Sequence, residues 1–554
     1  MATQKKETQR PKPGKRKEAN QEGAGNKSRN PFGSGGSENI GVIAAIAGII
    51  LSFFVLYAGI FDTKIDLNGD NINYYYLAKN LVERGQYAYY YDANQTPHGH
   101  FPPGYPWLMA LFMQVSSSVQ FLKMANGAFL LGSCLLLFFT LRHFGAGLAA
   151  CFTTVMALVV TATVLRFATI MMSEIPFVFF SLLALFLLSR GDYEKPFYKN
   201  AYFLTGMAVV VFASHVRSQG LALLPGVLLF LALAKRWAYI PAAFGAYVAG
   251  MLPWQLRNQS LGLESSEYVS SLLLKNPYRP ALGNSTLPEL FTRLGENAQR
   301  YLDKEIPYAF FSNIVPEYKG IDGEVQITWS FYAVGIVILL FVCAGLFSVQ
   351  KNRPLIAGYV LGSAAILLMW PPVWYGNRFI LPLMPFLLFL MVLGVGRVAD
   401  ELLSKLSYKM TFSPLLLIPF FYLFNAEANS GYRLNAKTSA YAPHYESYFN
   451  AARWAKENLP PDAVVACRKT ELFYHFSGLH TVSFARTENH RELLQQLKAS
   501  GATHAVLDYL GFSDTERYLY PAIKANTKMF RIAHETADDP STIILAFYPN
   551  AALD

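Results

Sequence analysis

Most of this chain is a succession of long apolar runs separated by short polar breaks, and the pattern changes once, after residue 426. The runs cover roughly 40–60, 119–141, 147–168, 174–189, 200–216, 219–234, 237–256, 328–349, 355–374, 379–399 and 411–426. An apolar helix of about 20 residues crosses a hydrocarbon core of about 30 Å. Eleven such runs predict a polytopic α-helical membrane protein with about 11 transmembrane helices over 40–426. One further apolar piece, GYPWLMALFMQV at 104–115, is too short to cross. Composition agrees: of 554 residues 53% are hydrophobic and 15% charged, against roughly 25% charged in soluble domains.

Beyond residue 426 charge rises and the long runs stop. Tyr445–Asn458 reads as an amphipathic helix, Asp462–Arg468 as a strand after Pro460-Pro461, and His490–Ser500 as a helix closed by Gly501. Thr503–Leu510 and Ser541–Tyr548 read as further strands. Alternating strands and helices predict a small α/β domain over 427–554. Asp508, at a strand end, reads more readily as a structural acid than as a catalytic one.

Charge sets the orientation. Residues 1–39 carry Lys5, Lys6, Arg10, Lys12, Lys15, Arg16, Lys17, Lys27 and Arg29 against four Glu, about half of the net charge of +10. The segment is rich in Gly, Ser, Asn and Pro without an apolar pattern, which predicts disorder. Such a tail can be an RNA- or anionic-lipid-binding arm. The plainer reading is a basic cytoplasmic anchor under the positive-inside rule, with no nucleic-acid partner. If 104–115 does not cross, Arg142 and His143, Arg190 and Lys199, Lys235 and Arg236, and Lys351 and Arg353 all fall inside. If it crosses, all face outside, against that rule. The segment therefore lies in or against the interface. The loops 61–118 and 257–327, the ends near Glu174, Arg217 and Arg378, and the whole region 427–554 then share the extracytoplasmic face. The four cysteines show neither a disulfide framework nor metal-ligand spacing.

The chemistry collects on that face, where charges near the membrane tend to mark a site or a pathway. The first loop carries GDNINYYYLAKNLVERGQYAYYYDANQTPHGHFPPGYP. Asp70 and Tyr74 share one helical face, and Asp70 reads equally as a helix cap or as a catalytic acid. Pro102-Pro103 stiffens the chain and places His100 and Tyr105, or else simply ends the loop. Glu174 in SEIPF is an acid at a helix start, favoured there by the dipole, or a second site carboxylate. Asp70 and Glu174 together could hold a divalent cation through oxygen. Arg217, Arg257 and Arg378 stand at external helix ends, where one can snorkel but three point to phosphate recognition, Arg378 first. There is no P-loop, dinucleotide glycine run, HExxH or GxSxG elbow.

GDNINYYYLAKNL, HFPPGYP, SEIPF, PWQLRN and NRFILPLMP, in that order, resemble the GT-C superfamily of membrane glycosyltransferases. The likeness is to the dolichyl-phosphate-mannose protein mannosyltransferase-like group, to which lipid A aminoarabinose transferase is related. The resemblance implies an inverting transfer from a polyprenyl-phosphate sugar donor to a glycan, lipid or protein acceptor. It implies Asp70 as general base and Glu174 as second acid. Arg378, Arg257 and His100 would hold the donor phosphate, and Tyr74, Tyr105 and Arg217 would line the substrate groove. Two positions depart from the family pattern: Asn71 stands where many relatives have Glu, and Phe101, not a His or Lys, precedes the Pro pair. The expected home is a bacterial inner or plasma membrane. Rival readings are a transporter or flippase of lipid-linked sugars, disfavoured by the lack of half-to-half symmetry, and a polysaccharide ligase-like enzyme.

Overall fold

A computed structural model describes residues 36–67, 70–263, 272–279, 282–314, 317–319, 324–326 and 329–550. The tail expected over 1–39 lies almost wholly outside the described residues, as do parts of the 257–327 loop. The chain is mostly helical, at 67%. Helices occupy every apolar run. Among the described residues four of them are long and apolar enough to cross a membrane, Glu38–Ile60, Val119–His143, Ser330–Ser348 and Asn377–Lys405. Six shorter apolar helices accompany them. The expected eleven crossings are therefore not confirmed as a count. One run is broken: 147–168 becomes Leu148–Val160 and Ala162–Phe167, with Thr161 extended at φ −64° and ψ 113°. The Thr161 hydroxyl donates to Ala157 O, and the freed Ala162 N–H donates to Asn425 Oδ1, so a buried amide carries the break.

The helix Gly104–Met113 has only 10 residues. Tyr105, Met109 and Met113 are buried, while Trp107, Leu111 and Val115 are exposed. An apolar helix with one buried and one bare apolar face suits an interfacial position. Its start is pressed on the helix Ala201–Val216: a Cβ at Gly104 would lie 2.6 Å from the His215 carbonyl carbon. Glycine is what permits that approach.

The C-terminal region holds a five-stranded sheet in the order β4-β3-β5-β7-β6. Two short strands earlier in the chain, β1 (Glu317–Lys319) and β2 (Glu324–Gln326), pair with each other. β3 (Val464–Ala466) is parallel to β4 (His480–Val482) and to β5 (His504–Leu507). β7 (Ile543–Phe547) is antiparallel to β5 and to β6 (Phe530–Glu535). Helices cover both faces. One apolar layer gathers Tyr448, Phe449, Phe473 and Val506 with Ile72, Tyr76, Tyr90 and Tyr91 of the first loop. The other gathers Leu493, Leu497, Leu519 and Leu545. The helix Thr470–Ser477 beside the sheet packs on the helix Asn71–Arg84. At the sheet's edge Thr481 N donates to Tyr91 O at 3.0 Å. Asp508 is a structural acid: Leu510 N and the Thr515 hydroxyl donate to it at 3.1 and 2.9 Å.

Candidate active site

Asp70 occupies the N-cap position of Asn71–Arg84, yet its side chain makes no capping hydrogen bond. The cap's usual function, satisfying an orphan N–H, is not what holds it there. The main chain closes the first turn instead, Tyr74 N donating to Asp70 O at 3.0 Å. The carboxylate is 37% exposed, and Arg378 Nη1 lies 3.7 Å from Oδ2.

The segment that carries Arg378 is held from below. Gly376 sits at φ 120°, a backbone region essentially reserved for glycine. Its N–H donates to Glu305 Oε1 at 3.2 Å. Arg300 donates to Pro372 O, and Asn297 Nδ2 to Trp370 O at 2.8 Å. Asp303, Lys304 and Glu305 are buried in a π-helical turn, a form often found near functional sites. Sequence reading did not single out these supports. Their signal was the polar run QRYLDKE directly before an apolar helix.

Glu174 is 0% exposed, with Oε1 2.8 Å from Arg217 Nη1. Arg217 Nη1 also donates to Ser173 Oγ at 3.0 Å, and Tyr74 OH and Ser173 Oγ are 3.3 Å apart. Tyr74 packs between Phe101 at 4.7 Å and Tyr105 at 4.9 Å. The Tyr105 hydroxyl donates to Asn126 Oδ1 at 3.1 Å. The Phe-Pro-Pro-Gly-Tyr run therefore buttresses the Asp70 helix. His98 turns the loop inward by accepting from Phe101 N at 2.8 Å. Burial, then the charges of His100 and Arg257, push its imidazole well below the ordinary value, which keeps it the neutral acceptor this bond requires.

A cavity of about 950 Å³ opens above these groups. Asp70, Tyr74, His100, Arg217 and Arg378 line it; Glu174, Tyr105 and Arg257 do not. Arg257 is placed differently from the sequence expectation of a phosphate ligand. Its Nη1 donates to His98 O at 2.7 Å and its Nη2 to Tyr87 O at 2.9 Å, with Trp254 beneath the guanidinium at 4.9 Å. It clamps the first loop. Tyr105 likewise supports the groove from behind rather than lining it. The opposite wall comes from the C-terminal region: Arg468, Lys469, Arg486 and Phe512. In the sequence Arg468 and Lys469 stood at the end of the predicted strand Asp462–Arg468, while Arg486 and Phe512 were not singled out.

The carboxylates do not suit a divalent cation. Each faces an arginine, and no group of three or more His, Cys, Asp or Glu converges among the described residues. A hard cation takes several oxygens together, and this donor set lacks them.

The architecture is a shared one: the fold is found in two solved proteins. The chain is similar to the crystal structure of ArnT from Cupriavidus metallidurans bound to undecaprenyl phosphate. The TM-score is 0.53 at 11% identity, covering 91% of this chain and 97% of that one. It is similar also to the Archaeoglobus fulgidus oligosaccharyltransferase tethered with an acceptor peptide, with a TM-score of 0.52 at 12% identity, covering 88% and 73%. No family model and no curated protein matches the sequence.

Proposed function

We propose that the protein is an integral membrane glycosyltransferase that moves a sugar from a polyprenyl-phosphate donor to an acceptor hydroxyl with inversion. The observation that carries the reading is the state of Asp70: a partly exposed carboxylate that caps nothing, in the wall of a large cavity, facing Arg378. The two comparison structures support it from either side of the reaction, one with a polyprenyl phosphate and one with an acceptor peptide.

In this reading the donor phosphate competes with Asp70 for Arg378. A guanidinium binds phosphate through two donors, so phosphate entry draws it off the carboxylate. Asp70 then accepts the proton of the acceptor hydroxyl as general base. The acceptor oxygen attacks the anomeric carbon opposite the phosphate, the glycosidic bond to phosphate breaks, and Arg378 balances the charge of the leaving group. His100, on the cavity wall, is a second candidate for the phosphate. Glu174 acts at one remove: buried against Arg217, it fixes the Ser173–Tyr74 contact that flanks Asp70. The cavity and the C-terminal region face the extracytoplasmic side.

The test is transfer from radiolabelled polyprenyl-phosphate hexoses in proteoliposomes, with cell-envelope extract as acceptor. Asp70→Asn should lower transfer by about 10²-fold or more, the scale of a lost general base, with membrane insertion and thermal unfolding unchanged. Wild-type rates in that variant would overturn the assignment. Solute movement without sugar transfer would favour a transporter.

A further inference from the structure

The three parallel strands β3, β4 and β5 all send the loops that follow their carboxyl ends into the same cavity. Arg468 and Lys469 follow β3, Arg486 follows β4, and Phe512 follows β5. In open α/β sheets ligands bind at this end of the strands. The charges there are arranged as a pair. Asp514 is buried and holds both arginines by one oxygen, Arg468 Nε at 2.6 Å and Arg486 Nε at 3.2 Å from Oδ2. The Arg468 guanidinium lies over Phe512 at 4.8 Å and that of Arg486 over Tyr278 at 5.3 Å. Each thus has a carboxylate at its Nε edge, as a hydrogen bond for Arg486 and as an ion pair for Arg468, and an aromatic ring at its face. Their Nη groups donate to none of the described residues. Lys469, also over Phe512 at 4.8 Å, adds a third cation, with Glu471 at 3.9 Å. One acid for two guanidiniums leaves an excess of positive charge, held rigid beforehand, which lowers the cost of ordering on binding.

We propose that this rim is an oxyanion subsite, which takes a phosphate or carboxylate group on the sugar acceptor. The assignment of the ligand to the acceptor rests on the transferase reading above; the binding of an oxyanion does not. The planar fork of arginine matches both anions, and the exposed Tyr278 and the partly buried Phe512 flank it. The donor phosphate is placed at Arg378, contributed by the helical region.

The experiment measures binding of glucose 6-phosphate, glucuronate and glucose to the detergent-solubilised full chain by calorimetry. The wild type should bind one or both anionic sugars and discriminate against glucose. Arg468→Gln with Arg486→Gln should weaken the anionic sugars by about tenfold or more, the scale of one charge-assisted contact. Arg453→Gln, a charge removed from the same region outside the cavity lining, should bind them as the wild type does. Which anion binds separates phosphate from carboxylate. If the Gln pair fails to fold, Arg468→Lys with Arg486→Lys retains both charges beside Asp514 and should still lose affinity several-fold, because a point charge cannot fork. Unchanged affinity in the arginine variants, an equal loss in Arg453→Gln, or no preference for the anionic sugars would overturn the proposal. Because the readout is binding of sugar anions and not transfer, failure of the subsite and failure of the transferase reading give different results.

Discussion

Asp70 and Glu174 each stand at a helix start and each face an arginine, but Glu174 is sealed from solvent while Asp70 is about one-third open. That difference decides what each can do. An exposed pair at 3.7 Å is screened and contributes little stability, so Asp70 can be changed without loss of the fold. The buried pair behaves oppositely, since removing one partner strands the other charge. Arg217→Ala should destabilise the protein by about 3–5 kcal/mol, seen as a lower Tm in detergent, whereas Asp70→Asn should leave Tm unchanged. Equal Tm shifts for the two would contradict this division. Sequence spacing alone could not separate the acids, because burial depends on which helix end is covered by its neighbours. The same holds for Arg257. Its position at an external helix end was legible, but its engagement with the carbonyls of Tyr87 and His98, more than 150 residues away in the chain, was not.

At the scale of elements, most helices were visible because apolar runs are long and uninterrupted, and the short helix 104–113 was visible by its shortness. Its tight seat on the helix Ala201–Val216 was not. Gly104→Ala forces a methyl into the His215–Val216 backbone, which cannot rotate aside as a side chain can. The cost should be about 1–3 kcal/mol, as for overpacked cores. Because Phe101 and Tyr105 pack on Tyr74, transfer should fall together with Tm. A Gly104→Ala protein with wild-type Tm and activity would show that the contact relaxes freely. In the C-terminal region the helix Pro443–Asn458 and the strands β3, β5 and β7 were legible from their patterns. β4, of three residues, and β6, with a mostly exposed face, were not. β4 carries too few alternations to be distinguished from loop, and β6, though six residues long, has no alternating buried face to mark it.

For the whole molecule, the joint between the sheet region and the first loop is where the two halves of the cavity meet. Tyr76 OH and His475 Nδ1 are 2.9 Å apart, and Tyr76 packs on Tyr90 and Tyr474. Burial, then the charge of Lys79, lowers the His475 pKa. A histidine lowered on folding binds protons more readily when the joint opens. Its contribution is therefore fully present above its ordinary value of about 6.5 and declines as pH falls through that value toward the lowered one. After correction for the slower intrinsic exchange at low pH, protection across 71–84 should be lower at pH 5.5 than at pH 7.5, and His475→Gln should flatten that contrast. An equally large contrast in the variant would assign the pH response to another group.

The sequence by itself determined the membrane character, the helical framework, the α/β nature of the last region, and the loop in which the leading acid lies. These follow from hydrophobic periodicity and charge bias, which act locally along the chain. Only the tertiary structure decided which charges meet. Asp70 faces Arg378 across more than 300 residues, Glu174 is neutralised by Arg217, Arg257 is spent on backbone, and a basic rim from the sheet completes the cavity. The physical reason is that a site is made of contacts between distant segments, and the burial and pairing that set the chemistry of a charged group come from neighbours that sequence order does not name.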